Sequence, residues 1–235
     1  MDIERPETAA VIPAGGRGRR MGGPGNKLFL PLLGVPILAR TLLTFEICAA
    51  VDSVLVPVAA EDREALRRLT RTYGLTKTVI AEGGAERRFS VRNALRLLGP
   101  SARRVVVHDG ARPLLTERDL SLFLLESRHV AAAVAAVPVK DTIKEAEDGW
   151  VKATLPRRAL RAVQTPQVFA RDLLTAAHEA AADDLPWTDD AALVEYSGVR
   201  VRLLPGWEEN IKITTRIDLL AAEAILRERA REGRA

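Results

Sequence analysis

The sequence predicts an α/β fold: a Rossmann-like, mostly parallel sheet with helices on both faces and a protruding β-hairpin arm. Three observations predict it. Short apolar runs alternate with helix-length amphipathic segments, a glycine-rich turn follows the first apolar run, and a polar alternating segment interrupts the pattern late in the chain. With 235 residues, 47% of them hydrophobic, the chain suits one large domain over residues 1–235.

The predicted elements follow one another with short turns. Each strand is a brief apolar run, and each helix repeats apolar residues at three- and four-residue spacing. Gly74 and Gly99-Pro100 are helix exits. The predicted strands are 8–13, 53–58, 77–81, 104–108, 131–137, 161–163 and 199–203. The predicted helices are 36–49, 61–73, 86–98, 116–128, 170–182, one starting near Thr188 and one from Thr214.

A polar segment at about 139–157 predicts the hairpin arm. Two alternating stretches flank Asp148-Gly149, a strong hairpin turn signal. An isolated hairpin is marginally stable in water, so this one needs a surface to pack on. The protein's own body would serve, but a partner subunit is the more economical answer. The sequence therefore predicts a homodimer that forms through the arm.

Composition argues against several classes of protein. The 35 basic residues are nearly matched by 31 acidic ones, and no dense basic run with interleaved aromatics suggests a nucleic-acid partner. No stretch approaches the ~18 apolar residues of a membrane span, and residues 1–7 do not resemble a signal peptide. The one cysteine, Cys48, allows no intrachain disulfide. We therefore expect a cytoplasmic protein without a membrane or nucleic-acid partner.

The glycine-rich segment 14–21, followed by Lys27, predicts a polyphosphate site. Glycines let backbone N–H groups wrap an anion, and arginines add forked donors. Met21 stands where the dinucleotide fingerprint needs its third glycine, and Pro24-Gly25 stands where a P-loop needs Lys and Ser/Thr. The segment is thus a phosphate loop of another kind, with a solvated glycine-rich turn as the alternative.

Asp109 follows the apolar strand 104–108, so we expect it at the carboxyl edge of the sheet, facing the glycine loop. A lone carboxylate there suits Mg²⁺, which takes one or two protein carboxylates and completes its shell with phosphates and water. The alternative is a turn-capping residue paired with Arg112. No spacing typical of a zinc site occurs in the sequence.

Three further segments have both a functional and a plain interpretation. Residues 83–90 form a glycine turn that enters a helix, with Ser90 on its first turn; a helix N-terminus binds anions, or the turn is merely a helix start. Thr188 is a good N-cap for the following helix. Lys212 is a lone lysine in a polar segment, and such residues are usually solvated.

The inventory of reactive groups favours phosphoryl or nucleotidyl transfer. The chain offers cations and one candidate metal carboxylate, without a Ser-His-Asp or Cys-His signature. Such transfer needs mainly positioning and stabilisation of negative charge, and a phosphate nucleophile needs no general base. A nicotinamide-dependent oxidoreductase and a non-enzymatic nucleotide-binding module are the alternatives from other classes.

A series of motifs in one order gives the chain a family resemblance. The motifs are residues 13–21, Lys27, Gly83-Gly84-x-Glu86-Arg87, residues 107–113 and 139–142, Thr165-Pro166-Gln167, Thr188-Asp189 and Asn210-Ile211-Lys212. With them the chain resembles the 2-C-methyl-D-erythritol 4-phosphate cytidylyltransferases of non-mevalonate isoprenoid precursor synthesis, and ribitol-5-phosphate cytidylyltransferase is the nearest alternative. The resemblance implies in-line attack of the sugar phosphate on the α-phosphate of CTP, with Mg²⁺ required and pyrophosphate released.

The resemblance also implies roles for residues. Expected to stabilise the transition state are Arg20, Lys27 and Lys212, and Mg²⁺ is expected at Asp109. The expected CTP-binding residues are Ala14, Gly15, Gly16, Gly18, Arg19, Gly84, Ala85, Ser90 and Gly110. The expected sugar-phosphate residues are Thr142, Arg157, Thr188 and Arg112, the first two from the neighbouring subunit's arm. Ala85 and Gly110 replace the Asp and Ala common in the family, and Arg158 beside Arg157 leaves open which arginine faces the site.

Overall fold

The computed structural model describes residues 7–15, 25–182 and 187–234. The strands, in chain order, are β1 (Glu7–Val11), β2 (Pro31–Leu32), β3 (Val35–Pro36), β4 (Ser53–Val58), β5 (Thr78–Glu82), β6 (Ala102–Val107), β7 (Ala132–Pro138), β8 (Lys144–Glu147), β9 (Trp150–Thr154), β10 (Arg161–Ala170) and β11 (Arg202–Pro205). The helices are α1 (Ile37–Ile47), α2 (Arg63–Thr72), α3 (Arg87–Leu95), α4 (Glu117–Glu126), α5 (Arg171–Ala180), α6 (Asp190–Tyr196) and α7 (Arg216–Arg231). Short 3₁₀ turns occupy Lys27–Phe29, Ala60–Asp62 and Arg157–Ala159.

The main sheet has seven strands in the order β11-β7-β10-β6-β1-β4-β5. All neighbouring strands run parallel except β10, which is antiparallel to both β6 and β7. The predicted mostly parallel α/β sheet is therefore confirmed. Because β1, β4 and β6 are adjacent and parallel, the residues that follow them meet at one edge.

The prediction for β10 was too short. The sequence predicts a strand at 161–163, whereas the structure has one from Arg161 to Ala170, with a register shift between Val163 and Gln167. Polar residues and Pro166 fill that shift, and proline cannot donate to a strand ladder. The alternating apolar pattern therefore ends after Val163, although the strand itself continues to Ala170.

Two apolar cores cover the two faces of the sheet. Within β1, Ala10 contributes to one core, whereas Ala9 and Val11 contribute to the other, as the two-residue period of a strand requires. Buried residues of α1, α2, α4 and α7 join the first core, and those of α3, α5 and α6 join the second. Helices thus lie on both faces, as the sequence predicts. No helix in the described ranges combines the length and apolarity that crossing a membrane requires.

The predicted hairpin arm is present as β8 and β9, which pair antiparallel outside the main sheet. Asp148 and Gly149 both have positive φ, 50° and 82°, which suits a tight hairpin turn. Both strands are largely exposed, and Trp150 at the turn is 80% exposed. The arm therefore presents apolar surface that residues 7–15, 25–182 and 187–234 leave uncovered.

The last helix fixes the segment that precedes it. Arg229 of α7 is 7% exposed and donates to the Glu209 carboxylate at 2.8 Å and to the Leu114 carbonyl at 2.8 Å. Thr215 caps α7 in a reciprocal capping box with Asp218. The helix therefore starts at Arg216, directly after its cap at Thr215. It holds the segment 210–213 like a clamp, because Arg229 binds Glu209 before this segment and the capping box lies after it.

We expect Arg229→Ala to lower the free energy of unfolding by about 2 kcal/mol, because the buried Leu114 carbonyl loses its Arg229 donor and the Glu209 carboxylate keeps only its longer contact, at 3.5 Å, with the exposed Arg234. Arg227→Ala on the same helix is the matched control, since its pair with Glu223 is exposed and worth less than about 0.5 kcal/mol. Urea unfolding of both variants measures the difference. Equal stability of the two variants would contradict the clamp.

Candidate functional site

A cavity of about 690 Å³ lies where the residues after β1, β4 and β6 converge. Its walls include most of the predicted nucleotide-site residues that the structure describes, namely Gly15, Lys27, Gly84, Ala85, Ser90, Asp109, Gly110 and Lys212. Ala14 is buried beneath this surface, and its carbonyl accepts from Asn26 Nδ2 at 2.6 Å. Gly16, Gly18, Arg19 and Arg20 lie outside the described residues.

Lys27 joins two distant segments at the cavity. It begins the 3₁₀ turn that Asn26 caps by accepting from the Leu28 N–H. Its ammonium lies 2.6 Å from the Ile213 carbonyl oxygen, and the Ile213 N–H donates to the Ala111 carbonyl. The segment that bears Lys212 is thus held against both Lys27 and the turn after β6.

The second glycine turn is shaped by Ser90. Its Oγ accepts from the Gly84 N–H at 2.9 Å and lies 3.2 Å from the Glu86 carbonyl oxygen, to which its hydroxyl donates. A Cβ on Gly84 would lie 2.4 Å from Phe89 Cβ, so only glycine fits there. Ser90 therefore lines the cavity and also holds the loop that forms part of its wall.

Gly110 also permits a close approach. A Cβ at this position would lie 3.2 Å from the Pro13 carbonyl oxygen and 3.1 Å from Leu38 Cδ1. An alanine would require these neighbours to shift by a few tenths of an ångström. The glycine thus lets the turn after β6 sit tightly against the segment after β1.

Asp109 is the centre of the charged cluster. It is 8% exposed; Lys212 Nζ lies 2.8 Å from its Oδ2, Arg87 Nε 3.2 Å from its Oδ1 and Arg112 Nε 3.6 Å from its Oδ2. Burial opposes ionisation, but the charges of Arg87 and Lys212 outweigh it and hold the pKa of this carboxyl well below its usual range. Asp109 is therefore an anion at neutral pH.

The plain interpretation of Asp109 holds in part. Arg112 does pair with Asp109, as that interpretation expects, but Arg87 and Lys212 lie closer to the carboxylate. Lys212 forms an ion pair with Asp109, and its side chain remains 42% exposed. The pairing was hidden because 103 residues separate the two in the sequence.

A neutral chain of hydrogen bonds supports Asp109 from its backbone side. His108 is fully buried, and burial lowers its pKa to about 4, so its ring is neutral. Its Nε2 lies 3.1 Å from the Arg112 carbonyl oxygen, which can only accept, so Nε2 carries the proton. Nδ1 then accepts from the Thr165 hydroxyl, whose oxygen accepts from the Asp109 N–H at 3.0 Å.

A second cavity, of about 280 Å³, adjoins the first. Arg112 and Thr188, both predicted to bind the second substrate, line it together with Asp109 and Lys212. The sequence predicted Thr188 as the N-cap of α6, and this prediction is wrong. The N-cap is Asp189, whose Oδ1 accepts from the Ala192 N–H. Thr188 is exposed and lies at the cavity wall.

Sequence reasoning missed four residues at this second cavity or beside it. Arg87, Thr165 and Gln167 line the cavity, and Asp190 lies behind it, 1% exposed. Three of them lay within the motifs that carry the family resemblance, but no local pattern gave them a role. Their roles come from contacts between distant segments.

The two predicted arm residues are not brought to this cluster within one chain. Thr142 and Arg157 are exposed and are not among the residues that line either cavity. Arg157 Nη1 donates to the Lys140 carbonyl at 2.6 Å. A shallow concavity at the foot of the arm collects Arg157, Arg158 and Arg161, so both candidate arginines lie together.

Comparison with known proteins fits this geometry. The family model for 2-C-methyl-D-erythritol 4-phosphate cytidylyltransferase (IspD) matches residues 8–228. The chain belongs to this family. A protein of that name from Symbiobacterium thermophilum is 48% identical over 226 residues, covering 95% of this chain and 94% of the relative.

Solved structures of family members share the fold. The enzyme from Thermus thermophilus is 34% identical, with a TM-score of 0.75 over 94% of this chain and 99% of that one. The 4-diphosphocytidyl-2C-methyl-D-erythritol synthase from Anaerococcus prevotii is 29% identical, with a TM-score of 0.83 over 94% and 96% of the two chains. The β8–β9 arm and the Asp109 cluster are therefore set in a cytidylyltransferase fold.

We expect Gly84→Ala to destabilise the protein by about 2 kcal/mol or more and to weaken CTP binding, because the added methyl overlaps Phe89. Gly99→Ala is the matched control, since its Cβ would meet only Ser101 Oγ at 3.8 Å and should change stability by less than about 0.5 kcal/mol. Thermal unfolding and calorimetric titration with CTP measure both effects. Unaltered CTP affinity in Gly84→Ala would contradict the assigned site.

Proposed function

We propose that this chain transfers the cytidylyl group of CTP to 2-C-methyl-D-erythritol 4-phosphate, giving CDP-methylerythritol and pyrophosphate for isoprenoid precursor synthesis. The observation that carries the proposal is the cation cluster around Asp109, where a nucleotide-sized cavity meets a second, smaller one. Family membership supports the identity of both substrates.

The chemistry needs positioned positive charge more than acid–base catalysis. The nucleophile is a phosphate oxygen of the second substrate, which is already ionised at neutral pH, so no residue has to remove a proton. As it attacks the α-phosphorus of CTP in line, the P–O bond to the β-phosphate breaks and pyrophosphate leaves. Lys27 and Lys212 of the first cavity, with Arg20 of the glycine loop, stabilise the negative charge that develops.

Asp109 is the residue that we propose to hold Mg²⁺. The described residues contain no group of three or more metal-ligating side chains, so an all-protein metal cage is not what this site offers. One carboxylate fits a metal that arrives with the nucleotide phosphates. The metal would neutralise phosphate charge, and Lys212 would have to release the Oδ2 atom that it now contacts.

The second cavity is the proposed site for the sugar phosphate. Arg112 and Lys212 supply positive charge to it, and Thr188 supplies a hydroxyl. Thr142 and Arg157 would complete it from the arm of a second subunit in a homodimer. The exposed Trp150 and Val151 on β9 support this role, because they offer the arm apolar surface for a partner.

A single nucleotidyltransferase domain over residues 1–235 and a cytoplasmic location complete the proposal. The family match spans 8–228, one seven-stranded sheet includes strands from β1 to β11, and Ala222 of α7 packs into one of its two cores. The single cysteine, Cys48, is buried against Ser121 rather than engaged in a disulfide, which suits a reducing compartment.

The test of the function is pyrophosphate release with CTP and Mg²⁺, comparing methylerythritol 4-phosphate with ribitol 5-phosphate. We expect release with the former alone, since the second cavity is assigned to the branched tetritol. Release mainly with ribitol 5-phosphate would keep the nucleotide site and reassign the second cavity. No release with either would contradict the proposed reaction.

We expect Asp109→Asn to raise the Mg²⁺ concentration for half-maximal rate about tenfold or more, because the neutral amide is a poor Mg²⁺ ligand. Asp172→Asn, at an exposed position on α5, is the control and should behave as wild type. A Mg²⁺ titration of the initial rate measures the effect. An unaltered titration curve for Asp109→Asn would assign the metal to other ligands.

Mixing two inactive variants tests whether the arm completes a partner's site. A heterodimer of Lys27→Ala and Arg157→Ala subunits would contain one intact site, so a mixture should recover about a quarter of wild-type activity, since half of the dimers are mixed. Lys27→Ala mixed with Lys212→Ala is the control, because both residues serve the same subunit's site and no intact site forms. Failure of the first mixture, in dimers that exchange subunits, would contradict a shared site.

A further inference from the structure

Arg87, the first residue of α3, bridges two buried carboxylates from different segments of the chain. Its Nε donates to Asp109 Oδ1 at 3.2 Å, and its Nη1 donates to Asp190 Oδ2 at 2.6 Å. Asp190, the first residue of α6, is 1% exposed, and its other oxygen lies 2.9 Å from His178 Nε2 on α5. A continuous chain of contacts therefore runs from α5 through α6 and α3 to Asp109.

The same arginine belongs to the wall that the two cavities share. Among the described residues, Arg87, Asp109 and Lys212 line both the 690 Å³ and the 280 Å³ cavity. Thr188 and Asp189 line the second cavity and directly precede Asp190 in the chain. A bridge between Asp190 and Asp109 therefore also fixes the wall of the second cavity relative to the first.

Stability alone would explain a buried ion pair, since such pairs also occur far from any site. Two features point further here. The guanidinium uses one nitrogen for Asp109, which lines both cavities, and another for Asp190, which directly follows the Thr188–Asp189 wall of the second cavity. Asp190 is itself held by His178, so it is a fixed anchor. Groups that orient a site residue in this way commonly change activity about 10–100-fold when they are replaced.

We propose that Arg87 and Asp190 are positioning residues that fix the wall of the second-substrate cavity relative to Asp109. The inference rests on the proposed function, because it assigns that cavity to the sugar phosphate. Loss of the bridge should move the Thr188–Asp189 wall and weaken binding of the second substrate. The nucleotide cavity should be affected only when Asp109 itself loses a partner.

Two substitutions separate the two ends of the bridge. Asp190→Asn keeps the side-chain shape but removes the charge that anchors Arg87, while Asp109 keeps its three cations. Arg87→Lys keeps the positive charge, but a single ammonium cannot reproduce the two-nitrogen fork that reaches both carboxylates. Arg96→Lys is the matched control, because Arg96 is exposed at the other end of the same helix and lines neither cavity.

The experiment measures the melting temperature, kcat, both KM values and the calorimetric Kd for CTP and for methylerythritol 4-phosphate in the full-length proteins. Asp190→Asn should raise the KM and Kd for methylerythritol phosphate about tenfold and leave those for CTP within about twofold. Arg87→Lys should weaken binding of both substrates about tenfold, because it also loosens Asp109. Arg96→Lys should match wild type in every measurement.

A lower melting temperature with unchanged KM and Kd values in the folded Asp190→Asn and Arg87→Lys proteins would show a purely structural bridge and overturn the inference. Weaker binding of CTP alone in Asp190→Asn would overturn it as well. If Asp190→Asn does not fold, Arg87→Lys decides, since unchanged affinities there are equally contrary. A wild-type protein inactive on methylerythritol phosphate would overturn the proposed function and the inference together. If the wild type is active and the variants bind both substrates as it does, only the inference is overturned.

Discussion

Burial of the Asp109 carboxylate is the constraint on which the rest of the site depends. A carboxylate removed from water needs compensating charge, and here Arg87, Arg112 and Lys212 provide it from three separate segments. The sheet places Asp109 at its carboxyl edge, α3 brings Arg87, and the clamp from α7 holds the segment that carries Lys212. The cluster can therefore form only when the segment around Lys212 has folded back onto the edge of the sheet that bears Asp109.

The surroundings of Asp109 divide into a charged side and a neutral side. The side chain faces cations, which also face the two cavities and so suit anionic substrates. The backbone is held by Thr165 and by His108, whose neutral ring keeps a further positive charge out of the core. This division fixes the backbone of Asp109 by neutral contacts, while the three cations balance the charge of its side chain.

The sequence could predict what local patterns encode. Alternating apolar runs give the strands and helices, Asp148-Gly149 gives the arm, and a carboxylate after a strand gives Asp109 its place. It could not predict pairs such as Arg87 with Asp190, because 103 residues separate them and neither shows a local signal. The predicted strand at 161–163 was too short for a related reason. Pairing with β6 and β7 continues β10 beyond a polar, proline-containing stretch that has no strand pattern of its own.

The most direct test of the Asp109 cluster is a crystal structure with CTP and Mn²⁺, in which anomalous scattering locates the metal. We predict a metal bonded to Asp109 and to the nucleotide phosphates, with Lys212 turned from Asp109 Oδ2 toward the α-phosphate. A metal bonded to the phosphates alone, with Lys212 still paired to Asp109, would contradict the proposed role of Asp109. In that case the cluster would shape the cavity without taking part in the reaction.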